Sequence, residues 1–159
     1  MAGIVAMTTT VAAYADSIGT VDYDKVFHTY NKALSFSDDS KIKQENIQQM
    51  QAEYVKQLRE AKASQSNNPV AYEQLEKDLQ GKLDTEVNAY RDWYSARSAE
   101  LDKDLDTAIQ SVAHDKKLDV VVAKQVVLLG GEDITNDVLS ILNANSTPPA
   151  SSEAKSTKK

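Results

Sequence analysis

From Val70 to His114 the chain carries no Pro, a single Gly (Gly81), and apolar residues that return every three or four positions. Tyr72, Leu75, Leu79, Leu83, Val87, Tyr90, Tyr94, Leu101, Leu105, Ala108 and Val112 mark the line, with Arg97 as its one polar member. Such spacing is the seam of a helix. At 1.5 Å per residue the rod is roughly 67 Å long. A domain of 159 residues has no need of a rod that long in its core, so the rod projects and packs against a second helix.

The second helix precedes it. Ile47, Met50, Tyr54, Leu58 and Ala61 repeat the same spacing. Ser64-Gln65-Ser66-Asn67-Asn68-Pro69 interrupts, with Asn68 as a cap and Pro69 preset for a first helical turn. A link this short forces the two rods antiparallel. Their expected extents, Asp24 to Gln65 and Val70 to His114, nearly match, so the hairpin returns the chain to its starting point. Tyr23 to Leu34, with Val26, Phe27, Tyr30 and Leu34 in register, opens the first rod behind an Asp22 cap. A kink or fresh start is expected in Ser35–Ser40, where short polar side chains compete for backbone hydrogen bonds.

Short β-branched segments flank the hairpin. Ser17–Asp22 reads as one strand; Leu118–Ala123 and Val126–Leu129 read as two more, joined by Lys124-Gln125 as a β-hairpin. Neither Lys124 nor Gln125 favours the positive φ of a tight hairpin turn. Gly130-Gly131 ends the last strand. Thr135 is expected to cap a closing helix whose apolar side is Val138, Leu139, Ile141 and Leu142. From Asn143 the chain turns polar and carries two prolines, a composition that does not fold.

The fold class is therefore α+β: a long antiparallel helical hairpin, a coiled-coil arm, projecting from a small three-stranded β body. The expected boundaries are 16–36 for the first strand and helix and 37–114 for the arm, with its tip near 64–69. The β-hairpin and closing helix occupy 115–143, and a disordered tail 144–159. Three strands and a short helix bury too little to stand alone. Continuous Val/Leu runs call for burial on both faces. Partner copies are thus expected at the body, through Ile18, Val21, Val120, Val122, Val127 and Leu129.

The chain has 18 basic and 24 acidic residues, a net charge of −6, which argues against a nucleic-acid partner. It has no Cys, so disulfide frameworks and thiolate metal sites are excluded. His28 and His114 have no partner at ligand spacing, no catalytic triad is evident, and no cofactor is implied. Carboxylates on a helical rod lack a pocket to raise their pKa, so no enzyme is read here. Residues 1–15 are uncharged, and Ala13-Tyr14-Ala15 fits the cleavage site of a secretory signal. A basic leader is missing, and a short buried helix or frayed end is the alternative. Cleavage after Ala15 would start the mature chain at Asp16, outside the cytoplasm.

The ends of the chain resemble the Skp (OmpH-like) family of periplasmic chaperones. The likeness lies in Val21-Asp22-Tyr23-Asp24-Lys25-Val26-Phe27, in Leu118-Asp119-Val120-Val121-Val122, and in Asp133-Ile134-Thr135-Asn136-Asp137-Val138-Leu139 with Leu142-Asn143 beyond. It covers roughly Ile18 to Asn143. The resemblance implies a homotrimer in the periplasm whose arms enclose unfolded outer-membrane proteins without ATP. Two departures stand out. Asp38–His114 holds 15 acidic and 10 basic residues where the best-known members have basic arms, which leaves lipopolysaccharide or membrane contact open. The polar turn between the last strands is replaced by Lys124-Gln125.

Tyr54, Tyr72, Tyr90, Trp93 and Tyr94 are candidate client contacts, since rigid aromatics offer apolar area at small entropic cost. The spacing of Tyr54, Tyr90 and Tyr94 fits the inter-helix seam better, while Trp93 sits beside the seam and fits either role. The alternative function is an extracytoplasmic coiled-coil adaptor that docks one folded, basic partner.

Overall fold

The computed structural model describes residues 17–64, 68–144 and 146. The signal-like segment 1–15, most of the tail and the central tip residues 65–67 lie outside the described residues. Strand β1 (Ile18–Val21) leads into a short helix α1 (Tyr23–Phe27), then the long helices α2 (Asn31–Ser64) and α3 (Pro69–Lys116). Strand β2 (Val120–Ala123), a 3₁₀ turn (Lys124–Val126), strand β3 (Glu132–Asp133) and helix α4 (Thr135–Ala144) complete the chain.

The helical hairpin forms as expected. Lys32 meets Glu100, Ser40 meets Tyr90, and Tyr54 and Leu58 share a groove with Leu79 and Leu83, a pairing that only antiparallel rods allow. Asn68 caps α3 by accepting from the Ala71 N–H at 3.2 Å, and Pro69 occupies the first turn. The far end stops at Lys117, whose left-handed backbone (φ 56°) lets Leu118 N–H reach the Ala113 carbonyl at 2.8 Å. With 48 residues, α3 is about 72 Å long and outruns the 34-residue α2.

The lengths differ because the first rod breaks earlier than the polar residues suggest. Ser35–Ser40 continues α2 without interruption, and the break falls at His28–Tyr30. Asn143 holds it open from α4: its Oδ1 accepts from Asn31 N–H at 2.9 Å and its Nδ2 donates to the Thr29 carbonyl at 3.2 Å. Asn143 is thus a tertiary cap for α2 rather than the first residue of a tail.

The sheet differs too. The strands are ordered β2-β1-β3 and all parallel, with Ile18 opposite Val120 and Gly19 opposite Glu132. The expected β-hairpin over 118–129 is not formed. Val126–Leu129 holds no strand, and β2 and β3 lie on opposite sides of β1. Lys124-Gln125 does not favour a tight primed turn, and the chain leaves β2 through a 3₁₀ turn and crosses to the far edge. Gly130 and Gly131, at φ 90° and 86°, turn it back. A Cβ on Gly131 would stand 2.7 Å from Thr20 Cγ2, so the close approach to β1 also needs glycine there.

At the start of α4 the capping role passes from Thr135 to Asp133. The Asp133 carboxylate accepts from Thr135 N–H at 3.0 Å and from the Thr135 hydroxyl. Thr135 Oγ1 in turn accepts from Asp22 N–H at 2.9 Å, tying the end of β1 to α4. A bond from Lys124, then those from Thr135, hold the Asp133 carboxyl well below the usual carboxylate range.

One core binds the body. Val21, Val26, Tyr30 and Ala33 pack with Ile134, Val138, Leu139 and Leu142 around Leu101, Leu105, Ala108 and Val112 of α3. Asn143→Ala removes both bonds that hold the α1–α2 break. It is expected to lower unfolding free energy by roughly 1–2 kcal/mol in urea denaturation. An unchanged midpoint and slope would contradict the capping role.

Candidate client-binding arm

The two rods seal their seam only at its ends. On α2 the buried residues are Ala33, Ser40 and Ala61; on α3 they are Leu79 near the tip and Leu101, Leu105, Ala108 and Val112 at the root. Tyr72, Leu75, Leu83, Val87 and Tyr90 of the expected seam are half-buried. A pair of helices gives each apolar stripe one neighbour, where a bundle gives two, so much of the stripe stays in reach of solvent. Arg97 is exposed and pairs with Glu100 at 2.8 Å, at a groove it shares with Phe36 and Trp93.

Near the root the arm carries an aromatic group. Phe36 lies 5.4 Å from Trp93 and 4.9 Å from Tyr94, and Tyr90 lies 6.1 Å from Trp93 and 6.0 Å from Tyr94 (ring centroids). Lys43 Nζ sits over the Trp93 ring at 5.0 Å. These separations suit tilted and offset aromatic pairs, each worth about 0.5–1.5 kcal/mol beyond area burial. The Tyr90 hydroxyl accepts from Gln44 Nε2 at 2.6 Å and shares a bond with Ser40 Oγ at 2.9 Å. Tyr90 is therefore a seam residue with a satisfied polar end. Trp93 is half-buried and Tyr94 is exposed, so both side chains keep some area in reach of solvent. An open groove beside them is lined by Phe27, Leu34, Phe36, Tyr94 and Leu101, together with Ser37 and Ser98.

Of the five candidate aromatics, the structure gathers Tyr90, Trp93 and Tyr94 into one cluster. Tyr54 stands toward the tip, in a separate groove with Val55, Leu58, Leu79 and Leu83. Tyr72 is half-buried on the first turn of α3. Phe36, the ring that bridges Trp93 and Tyr94, was not among the expected residues, because its polar neighbours mark that stretch as a kink. The spacing Ala33, Phe36, Ser40 was the available signal: it carries the α2 seam through the polar stretch.

Where arm meets body, charge is concentrated. Lys32 Nζ donates to Glu100 at 2.6 Å and Asp104 at 2.7 Å, and the Tyr30 hydroxyl donates to Asp104 at 2.9 Å. Burial works against the Lys32 charge, but its bonds to Asp104 and Glu100 outweigh it and hold the ammonium above its ordinary pKa. Bonds from Lys32 and then Arg97 hold Glu100 below the usual range. Burial, and then the bond to the Asp104 carboxylate, push Tyr30 up to about 12.

The residues expected at a subunit interface are divided. Val21 is sealed in the core of the single chain. Val122 and Val127 are half-buried, while Ile18 and Val120 are exposed. Around the failed hairpin, Val126 is 74% exposed, Leu128 103% and Leu129 95%. His28 and His114 lie apart, with Nδ1 contacts to the Asp24 carbonyl and the Asp115 carboxylate respectively. Among the described residues no helix is long and apolar enough to cross a membrane.

No family model matches the chain, and no curated protein matches it. Among solved structures, a proposed outer membrane chaperone (OmpH-like) from Caulobacter crescentus shares the fold. The TM-score is 0.53 at 18% identity, over 89% of this chain and 92% of that one.

Because the folded pKa of Tyr30 lies above the ordinary tyrosine value near 10, its neutral hydroxyl stabilises the fold fully below that pH. The contribution is lost as pH rises toward 12. Absorbance titration of tyrosinate should show one late-titrating equivalent that is missing in Tyr30→Phe. Superimposable curves would rule out the Tyr30–Asp104 bond as described.

Proposed function

We propose that this chain is a periplasmic, ATP-independent holdase of the Skp (OmpH-like) family. In this reading it trimerises through its β body and encloses unfolded outer-membrane proteins between its arms, preventing their aggregation. The observation that carries the reading is the two-helix arm with a half-sealed seam. Such a surface offers many small apolar contacts spaced by charge, which suits loose capture of a chain with no fixed shape. It also avoids one continuous apolar patch, which would bring the chaperone's own aggregation. The fold shared with the Caulobacter OmpH-like protein supports the family and, with it, the periplasm and outer-membrane clients. The exposed Val126, Leu128 and Leu129 support self-association, since apolar side chains left this open gain most from partner copies.

Client contact is assigned first to Trp93 and Tyr94 with Phe36 behind them, then to Tyr54 and Tyr72 toward the tip. Tyr90 acts mainly as the hydrogen-bonded support of the group. Capture needs no covalent chemistry: rigid rings present apolar faces, Ser37 and Ser98 of the groove offer hydroxyls to stray backbone groups, and dissociation stays easy because no contact is large.

The acidic arm favours a second reading, an adaptor that docks one folded basic partner. Pull-down separates the two, since a holdase recovers many unfolded proteins and an adaptor recovers one.

The direct test is light scattering from a β-barrel outer-membrane protein diluted out of urea. Stoichiometric chain without nucleotide should suppress the signal, and full aggregation would overturn the reading. Trp93→Ala should weaken client binding about tenfold, as a central aromatic anchor does, while helix content is unchanged. Unaltered affinity would remove Trp93 from the contact surface.

A further inference from the structure

Two grooves open beside the rings at the root of the arm, and Phe36 and Leu101 line both. The groove of Tyr94 encloses about 480 Å³, within the size range of ligand clefts. Asp102 is the only carboxylate that lines it, and no Lys or Arg does. Its other titratable groups are the Tyr94 hydroxyl and His28, whose Nδ1 lies 2.7 Å from the Asp24 carbonyl oxygen. Asp102 is exposed and has no ion-pair or hydrogen-bond partner among the described residues. Asp106, also exposed, follows one turn later on the same side of α3.

The groove of Trp93 is smaller, about 150 Å³, and sets Lys32, Asp39 and Arg97 beside the rings of Phe36 and Trp93. Both cations that line it are already matched, Lys32 by Glu100 and Asp104, Arg97 by Glu100. Asp39 is exposed and has no such partner among the described residues. A third cation stands close by. Lys43, one turn after Asp39 on α2, holds its Nζ 5.0 Å from the Trp93 ring centroid and pairs with no carboxylate. An aromatic face attracts ammonium and guanidinium groups because its quadrupole is negative there. The Trp93 ring thus already takes a cation, supplied by its own chain.

We infer that the aromatic root of the arm selects unfolded segments in which Lys or Arg stands next to an apolar residue. The apolar side chain enters a groove, and the cation is met by Asp102 or Asp39 together with a ring face. Lys43 is the internal stand-in for that cation over Trp93. The inference rests on the chaperone reading for the kind of client and adds its charge. The arm as a whole agrees in sign: Asp38–His114 holds 15 acidic and 10 basic residues, so its field draws cationic segments in and holds acidic ones off. At the root the two aspartates act at short range beside apolar rings, where attraction between charges is stronger than in open water.

Trp93 is the single Trp of the chain, so fluorescence of the full-length protein reports this site directly. The probes are three synthetic peptides with one shared pattern of Leu and Phe, differing only in the residue between them: Lys, Gln or Glu. The Lys peptide should bind about tenfold more tightly than the Glu peptide at low salt, and the gap should close at high salt. Asp39→Asn combined with Asp102→Asn should abolish the preference. Glu60→Gln combined with Glu86→Gln changes the net charge equally at exposed positions outside both grooves, and should preserve it. Lys43→Met should tighten binding of the Lys peptide, whereas a site built for acidic segments would lose affinity. Equal binding of the three peptides, or the same loss of preference in both double variants, would overturn the inference. Light scattering of a β-barrel client on the same samples separates the two ideas. Suppressed aggregation with equal peptide binding removes the charge selection alone. A Lys preference governed by Asp39 and Asp102, without suppression, keeps the selection and removes the holdase.

Discussion

The last four turns of α3 are the surface on which the rest of the structure depends. Leu101, Leu105, Ala108 and Val112 lie along one stripe and are the central wall of the only extensive core among the described residues. The start of α2 and helix α4 pack against that stripe, while α1 lies on α4 and the end of β1 joins the same core. The same helix then runs on as half of the arm. A rod can hold an extended position only if its base is clamped, and here the clamp is the body's own hydrophobic core. Losing that packing would release the arm and unfold the body together, so the two cannot be separated as independent domains.

Moving outward along α3, the packing thins in a graded way. At the root four residues are fully buried; then rings share the seam with polar groups; then a stretch is half-sealed on both helices; then Leu79 closes the tip. The Lys32–Glu100–Asp104 cluster, with Tyr30, marks the change from body to arm. Its pairs are about one-third exposed, so they set register more than they add stability. The gradient separates two requirements: rigidity where the chain must be held together, and accessible apolar surface where it must meet something else.

The rods, their antiparallel order and their tip could be read from spacing alone, because a seam sustained from Tyr72 to Val112 has few other structural meanings. Asn68-Pro69 was equally legible, since a cap and its first turn are local. What failed was whatever depended on residues far away in sequence. The break at His28–Tyr30 is held by Asn143, more than 100 residues distant, and nothing near it signals a stop. Ser35–Ser40 looked like a kink because the benefit of staying helical comes from Trp93, Tyr94 and Tyr90 on the other rod. Thr135 was the natural local cap, but its hydroxyl is claimed by Asp22 and the carboxylate of Asp133 takes over. Val126–Leu129 has strand composition, yet its chain must reach the far edge of β1, and a lone copy gives it nothing to pair with.

That last segment is where the structure leaves most unfinished. Val126, Leu128 and Leu129 stand almost fully in solvent beside a sheet with two free edges. Single exposed apolar residues are ordinary; three within four residues at a sheet margin are not. Sister chains laid around the body would cover them and fix the arms side by side about a shared space. Sedimentation equilibrium of the purified protein decides this. A single species at three times the chain mass is expected, while a monodisperse one-chain species at micromolar concentration would contradict it.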